Sequence, residues 1–385
     1  MIKEIRIENY KSIQKLKLEL GRVTVLIGEN GCGKSNILEA IALSAAAASD
    51  KLDNEFLAPR GIRETEPQLM RAAFDKENVL LPIKISFGEN EEIYFDYALQ
   101  NKNESYTKWI NETPRVDMST FEKNLSTLSE KFASIGELSE DLALKIEEVR
   151  KASKQVELSA TSEKNYLKEF IIYSPEYHCL RTFKEEGQIQ PLGINGEGLF
   201  KLLTVLNLDK NKAQLDEIKE KLKLMGWFKD FQMPNNLFIG ERAIQIEDRY
   251  LDQEITFDQR STNEGFLFLL FYFCLFISED TPKFFAIDNI DASLNPKLCR
   301  RLIKELVNLA KKYDKQVIFT THNPAILDGL NLDDDEQRLF VVSRNKLGYT
   351  RARRFLKPET PAGEKLVRMS EAFLRGYLGG LPKSF

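Results

Sequence analysis

Apolar and polar positions alternate through the first twenty residues: Ile2, Ile5 and Ile7, then Leu16, Leu18 and Leu20. That pattern predicts two strands, each with one buried face. Residues 22–28, RVTVLIG, are almost continuously apolar, as in a strand covered on both sides. A glycine-rich turn follows, and then SNILEAIALSAAAA, a run of strong helix formers. Strand signals return over 79–99, in PIKISFG and EEIYFDYAL.

From about 101 to 168 the character changes. The stretch FEKNLSTLSEKFASIGELSEDLALKIEEVRKASKQVEL is charged, free of proline and helically spaced, which predicts one or two inserted helices. A second helical stretch is predicted over 211–231, after INGEGLFKLLTVL, and strand-like alternation over 237–257. The remainder reads as helix 264–277, strand 284–288, helix 296–312, strand 317–320, then a turn and a helix from Pro324. Strands alternating with helices imply a parallel sheet with right-handed crossovers. Both ends of the chain should therefore share one α/β sheet. The expected organisation is 1–100 and 236–385 as two parts of one head, with 101–235 a mainly helical insertion forming a lid or short arm.

Composition narrows the class. Of 385 residues 42% are hydrophobic and 30% charged, which suits a soluble globular protein with a sizeable core. A net charge of −4 gives no global attraction to nucleic acid or membrane, so any such contact needs a local basic patch. The longest apolar run, FLFLLFYFCLFI at 266–277, is too short to span a bilayer, and the N-terminus lacks a signal-peptide layout. Cys32, Cys179, Cys274 and Cys299 are widely spaced, as expected in a reducing compartment. A cytoplasmic protein without membrane contact is the expectation.

The candidate chemistry lies in four places. GENGCGKS at 28–35 has the spacing of a phosphate-binding loop, between a strand and a helix as that motif requires. Glycines let the backbone of Glu29, Asn30, Gly31, Cys32 and Gly33 curl so that its N–H groups point inward, and the helix opening at Lys34, Ser35 and Asn36 adds its positive end. Lys34 can reach the β- and γ-phosphates and Ser35 can ligate Mg2+. Cys32 is read as a small filler. Asp288, ending the strand KFFAI, is the second Mg2+ candidate. Third, VIFTTHNPAILD at 317–328 puts His322 at a strand tip, the side where open parallel sheets bind ligands, within reach of a γ-phosphate or attacking water. Fourth, in RSTNEGFLFLL, Ser261 and Glu264 match a capping box, and the helix start with Gly265 can present N–H groups and a hydroxyl to a phosphate. Asn295 and Pro296 read as the cap and first residue of the next helix. Two basic groups, Lys297/Arg300/Arg301/Lys304 and RNKLGYTRARR at 344–354, read first as solvated surface, with nucleic-acid phosphate contact as the alternative.

In this order the segments resemble the ABC-type ATPases of the SMC/RecF/OLD group. IRIENYKSI and VTVLIGENGCGKSNILEAI resemble that group's opening, STNEGFLFLL its signature motif, FFAIDNIDASLNP its metal-carboxylate strand and D-loop, and VIFTTHNPAILD its switch-histidine loop. The likeness covers roughly 1–45 and 255–330. It implies a P-loop NTPase head of ABC type with a mostly parallel sheet, N-terminal antiparallel strands and a helical insertion. It also implies ATP and Mg2+ bound between two copies of the chain, with Lys34, Ser35, Asp288 and His322 of one facing Ser261 and Gly265 of the other. Compact relatives act in DNA repair or anti-phage defence, which makes DNA and a separate nuclease or toxin the expected partners.

Two departures bear on mechanism. Ser-Thr-Asn-Glu-Gly replaces Ser-Gly-Gly in the signature, leaving Ser261, Thr262 and Asn263 open as the phosphate-contacting residue. Asn289 stands where the group has a catalytic Glu. Asparagine can hydrogen-bond a water but cannot take its proton, and losing a general base costs about 10²–10⁴ in rate. Asp291 is a candidate substitute. The expectation is slow turnover, or an ATP-gated interaction module with negligible turnover.

Overall fold

The computed structural model describes residues 1–89, 92–104, 107–113, 166–185, 187, 189–234, 242–252, 254–357 and 368–379. At its centre is a six-stranded sheet drawn from both ends of the chain. Its members are β3 (Val23–Ile27), β7 (Ile172–Tyr173), β11 (Phe284–Ile287), β12 (Gln316–Thr321), β13 (Gln337–Arg344) and β14 (Thr350–Phe355), in the order β14-β13-β3-β12-β11-β7. All neighbours are parallel except β13 and β14. The register sets Thr320 beside Leu26 and Thr321 beside Ile27, so the strand tips that carry the motifs finish level.

Both faces of this sheet are covered, which is why its strands read as continuous apolar runs. Val23, Val25, Ile27, Phe285, Ile287, Val317 and Phe319 face one core. That core holds the helices Glu264–Ile277 and Pro296–Lys312. Every residue of the former from Gly265 to Ile277 is buried, so it is apolar all round rather than amphipathic. Leu26, Phe284, Ala286, Ile318 and Phe340 face the other core, with the alanine-rich helix Lys34–Ala48. Beyond that helix lies an antiparallel sheet of β1 (Glu4–Tyr10), β2 (Ile13–Glu19), β4 (Ile83–Glu89), β5 (Glu92–Gln100) and β6 (Ile110–Asn111), in the order β2-β1-β4-β5-β6.

Several expectations need correction. The stretch 211–231 is a helix only over Lys212–Leu222. Phe228–Gln232 is a strand, β8, in a small antiparallel sheet with β9 (Gln245–Asp248) and β10 (Thr256–Phe257). A register shift between Phe228 and Asp230 spaces the buried Phe228 and Phe231 three apart, which mimics a helical face. The chain after Pro324 makes only a short 3-10 turn, Pro324–Gly329. Within 101–235, β6 extends the antiparallel sheet and β7 the main sheet, so this segment is not only helical where described; residues 114–165 lie outside the described set. No helix among the described residues is long and apolar enough to cross a membrane.

Candidate functional site: the phosphate-loop edge of the main sheet

The strand-to-helix turn after β3 forms a closed loop. Gly31 and Gly33 adopt φ of 74° and 106°, a left-handed backbone that favours glycine. A Cβ on Gly33 would lie 2.1 Å from Thr350 Oγ1, so β14 holds the loop from behind. Thr350 Oγ1 donates to the Cys32 carbonyl at 2.9 Å, and Asn36 donates to Ser12 Oγ at 2.7 Å. Arg344 Nε donates to the Gly31 carbonyl at 2.8 Å. Cys32 is buried beneath the loop, where loss of water raises its thiol pKa, in keeping with its reading as a filler. Glu29 is half-buried, and Asn30 and Gly31 are exposed at the loop's crest.

Lys34 is only 5% exposed, and Nζ donates to the Gly28 and Glu29 carbonyls, both at 3.0 Å. Burial pulls its pKa down, and the nearby Asp288 and Asp291 carboxylates partly offset that. A buried ammonium held only by neutral acceptors fits an anionic ligand such as a phosphate.

Ser35 Oγ donates to Asp288 Oδ2 at 3.0 Å across 253 positions of sequence. Thr320 Oγ1 donates to Asp288 Oδ1 and accepts the Asn289 N–H at 2.9 Å. The Asp288 N–H donates to the Tyr173 carbonyl of β7 at 2.8 Å. This hydroxyl–carboxylate oxygen set fits Mg2+, which takes one or two protein oxygens and completes its shell with phosphate and water. His322 stands at the end of β12 beside Gly28. The ring is exposed, yet partial loss of water beside the loop and then the Lys34 charge lower its pKa below the usual imidazole value despite the opposing Asp291 and Asp288 charges, which favours the neutral ring at pH 7. The structure therefore brings Lys34, Ser35, Asp288 and His322 together.

After Asp288 the chain turns sharply. Asn289 has φ of 56° and Ser293 φ of 57°. Asn289 is exposed, whereas Asp291 accepts a hydrogen bond from Thr321 Oγ1. The capping expectation at the signature segment is corrected. Asn263 is the N-cap of Glu264–Ile277, accepting from the Phe266 N–H at 2.9 Å. Ser261 is exposed and its hydroxyl donates to Asp258 at 3.3 Å, while Glu264 accepts from Ser293 Oγ at 2.6 Å. Thr262 is buried with its hydroxyl unpartnered. Gly265 packs 3.5 Å from the Ser293 carbonyl. Among the described residues no hydrogen bond joins Ser261 or Gly265 to the phosphate loop of the same chain. The cap on the next helix is as expected, with Asn295 accepting from the Leu298 N–H at 3.0 Å.

Sequence reasoning missed one cluster. Glu39, 1% exposed, accepts from Tyr10 OH at 3.1 Å, from Arg63 Nε at 2.5 Å and from Lys11. Arg63 also donates to Asn36 Oδ1 at 3.2 Å. Of these, Lys11 and Arg63 border a cavity of about 490 Å³ beside Asn36, together with Ser12, Phe74 and Arg344. A glutamate inside an alanine-rich helix was its one visible signal.

A glycine loop with a buried lysine, a hydroxyl–carboxylate pair at the sheet edge and a neutral histidine on the adjacent strand tip define a P-loop ATPase head. The chain belongs to the family described as AAA ATPase domain, whose model matches residues 1–327. Its fold is similar to that of an SMC head bound to the C-terminal winged-helix domain of ScpA, with TM-score 0.55 and 15% identity over 92% of this chain and 97% of that one. A Pyrococcus furiosus Smc head bound to a ScpA C-terminal domain gives TM-score 0.50 at 13% identity, covering 92% and 96%. By sequence the chain is similar to an uncharacterised protein of Methanocaldococcus jannaschii, 32% identical over 28% of this chain and 49% of that protein. It is also similar to the DNA replication and repair protein RecF of Bacillus thuringiensis, 44% identical over 14% of this chain and 15% of that protein. The chain thus spans about half of the first relative and a small part of the second. Together these show an AAA ATPase domain with the fold of an SMC head and a RecF-like stretch.

Proposed function

We propose that this protein is a cytoplasmic, ATP-dependent switch. ATP with Mg2+ binds at Lys34, Ser35 and Asp288, and two copies close face to face around it. Ser261 and Gly265 of one copy then complete the site of the other. The observation that carries this reading is the Ser35–Asp288 contact at 3.0 Å beside a buried Lys34 that has no anionic hydrogen-bond partner. The cavity beside Asn36 offers room for the outer part of the nucleotide. The exposed Ser261 hydroxyl supports its choice over Thr262, which is buried, and Asn263, whose side chain is occupied as a cap.

Asp288 and Ser35 would hold the metal, which supplies charge neutralisation on the phosphates. His322 hydrogen-bonds the terminal phosphate or a water in this reading, which its neutral ring beside Gly28 supports. Asn289 orients water without accepting its proton, so turnover is slow. The coupled output is DNA or a partner effector such as a nuclease or toxin, in DNA repair or anti-phage defence. The RecF stretch supports the former setting, and the ScpA-bound SMC heads support docking of a separate protein.

The test is titration calorimetry with ATP and Mg2+, with light scattering for assembly. Lys34→Ala should reduce affinity at least tenfold and abolish ATP-dependent dimerisation; unchanged affinity refutes the site. A second reading, an ATP-gated scaffold without turnover, is favoured specifically by Asn289. It predicts dimerisation with no phosphate release in a single-turnover assay.

A further inference from the structure

The two basic groups of the chain fare differently in the fold. In the 344–354 strip the charges are largely used at home. Arg344 is bound to the Gly31 carbonyl, Arg353 to the Leu378 carbonyl, and Arg354 pairs with Glu19 and Asp335. On the helix Pro296–Lys312 the C-terminal cations are also compensated: Lys311 by Asp334 and Glu336, Lys312 by Glu217. Lys297, Arg300, Arg301 and Lys304 are all exposed, and among the described residues none has a hydrogen-bond or ion-pair partner.

These four recur at i, i+3, i+4 and i+7, which places them on one helix face opposite the buried Leu298, Leu302, Ile303 and Leu306. They also sit where the fold gains nothing from them. Cations are favoured at a helix C-terminus and disfavoured in its first turns, and no acidic residue occupies the first turn here. Four unpaired positive charges in one row, on a chain whose net charge is −4, are a local feature that stability does not explain.

We infer that this face is a docking surface for the phosphate backbone of nucleic acid. The row is about 10 Å long at the helical rise per residue. Duplex DNA presents a phosphate per strand about every 3.4 Å along its axis, so the row meets about three. A protein partner is a poorer fit, because interface cores need apolar or aromatic anchors, and none of the exposed large hydrophobic residues lies on this helix. The helix starts immediately after the turn that carries Asn289 and Asp291, which links the docked strand to the nucleotide edge of the sheet. The inference deepens the proposed coupling to DNA and rests on that part of it alone.

The experiment uses the full chain and a fluorescein-labelled 30-base-pair duplex, with anisotropy measured from 50 to 300 mM salt. Replacing all four cations (Lys297→Gln, Arg300→Gln, Arg301→Gln, Lys304→Gln) should weaken binding at 100 mM salt at least tenfold. Each lost phosphate contact flattens the log–log salt slope by about 0.9, so a flattening of about 2–3 is expected. The variant should unfold at the same temperature as the parent or higher, and should bind ATP as the parent does. The double variant Lys311→Gln/Lys312→Gln, which removes charge from the compensated end of the same helix, should keep DNA affinity within about twofold. The inference is overturned by an unchanged affinity and slope in the quadruple variant, by no DNA binding in the parent, or by equal losses in both variants. It is equally overturned if phosphatidylserine vesicles or poly-glutamate bind this face and DNA does not. Parallel ATP titration keeps failure of the nucleotide site distinct from failure of this face.

Discussion

Replacing Asn289 by glutamate tests the link between one side chain and the rate. The residue is exposed, so a longer side chain meets no core atom, and its N–H bond to Thr320 Oγ1 at 2.9 Å is a backbone contact that the substitution keeps. The cost is conformational. Position 289 has φ of 56°, which asparagine tolerates better than most residues, and a glutamate there should lose about 1 kcal/mol of stability. The gain is a proton acceptor, worth about 10²–10⁴ in rate. At about 1.36 kcal/mol per tenfold this is about 2.7–5.4 kcal/mol of barrier. The strain acts on a folded state held by several kcal/mol, so it leaves the folded population nearly intact and the rate gain should dominate. Phosphate release under single-turnover conditions at saturating ATP should rise at least a hundredfold in Asn289→Glu, while the urea midpoint falls slightly. If the rate is unchanged although ATP still binds, and Asp291→Asn removes what activity the parent has, then Asp291 takes the proton and the argument from Asn289 fails.

Other perturbations follow from the same geometry. Gly33→Ala should collapse the phosphate loop, because its Cβ would overlap Thr350 Oγ1; calorimetry should show ATP affinity lost with the fold retained by circular dichroism. Lys315, fully buried, donates to Ser278 O, Thr281 O and Pro282 O, and burial brings its pKa down to about 7. Lys315→Met should lower stability by about 1–3 kcal/mol at pH 9 by leaving carbonyls unpaired. Between about pH 7 and pH 10 the unfolded chain binds the Lys315 proton and the folded one releases it. Parent stability should therefore rise relative to the variant as pH rises through this window, in urea titrations at each pH. The depressed pKa of His322 has the same sign at lower pH: the unfolded state takes the proton first, so acidification below pH 6.5 should destabilise the parent more than His322→Asn.

The parts of the fold and site legible in the sequence are those whose logic is local. Gly31, Gly33, Lys34 and Ser35 announce a loop because the backbone conformation itself demands those residue types at that spacing. The apolar runs ending at Asp288 and Thr321 announce strands covered on both faces, and the sheet places them as neighbours. What stayed hidden depends on contacts between distant positions. The Ser12–Thr350 hydroxyl pair spans 338 positions and has no periodic trace. Lys11, Glu39 and Arg63 are ordinary charged residues until the helix after the loop buries the carboxylate between them. The signature cap was misassigned because serine and asparagine cap about equally well, and only the turn at Asp258, which takes the Ser261 hydroxyl, decides between them.

The shortest strand of the main sheet gives the carboxylate edge an unexpected neighbour. Asp288 hangs by its amide from the Tyr173 carbonyl, and Ala286 two residues earlier hangs from the Ile171 carbonyl. Ile171 and Tyr173 are buried in one core and Phe170 and Ile172 in the other, so the short strand is riveted on both sides. The metal-side carboxylate is thereby anchored to a strand that cannot slide without disturbing both halves of the interior, which keeps its position fixed whether or not a ligand is bound.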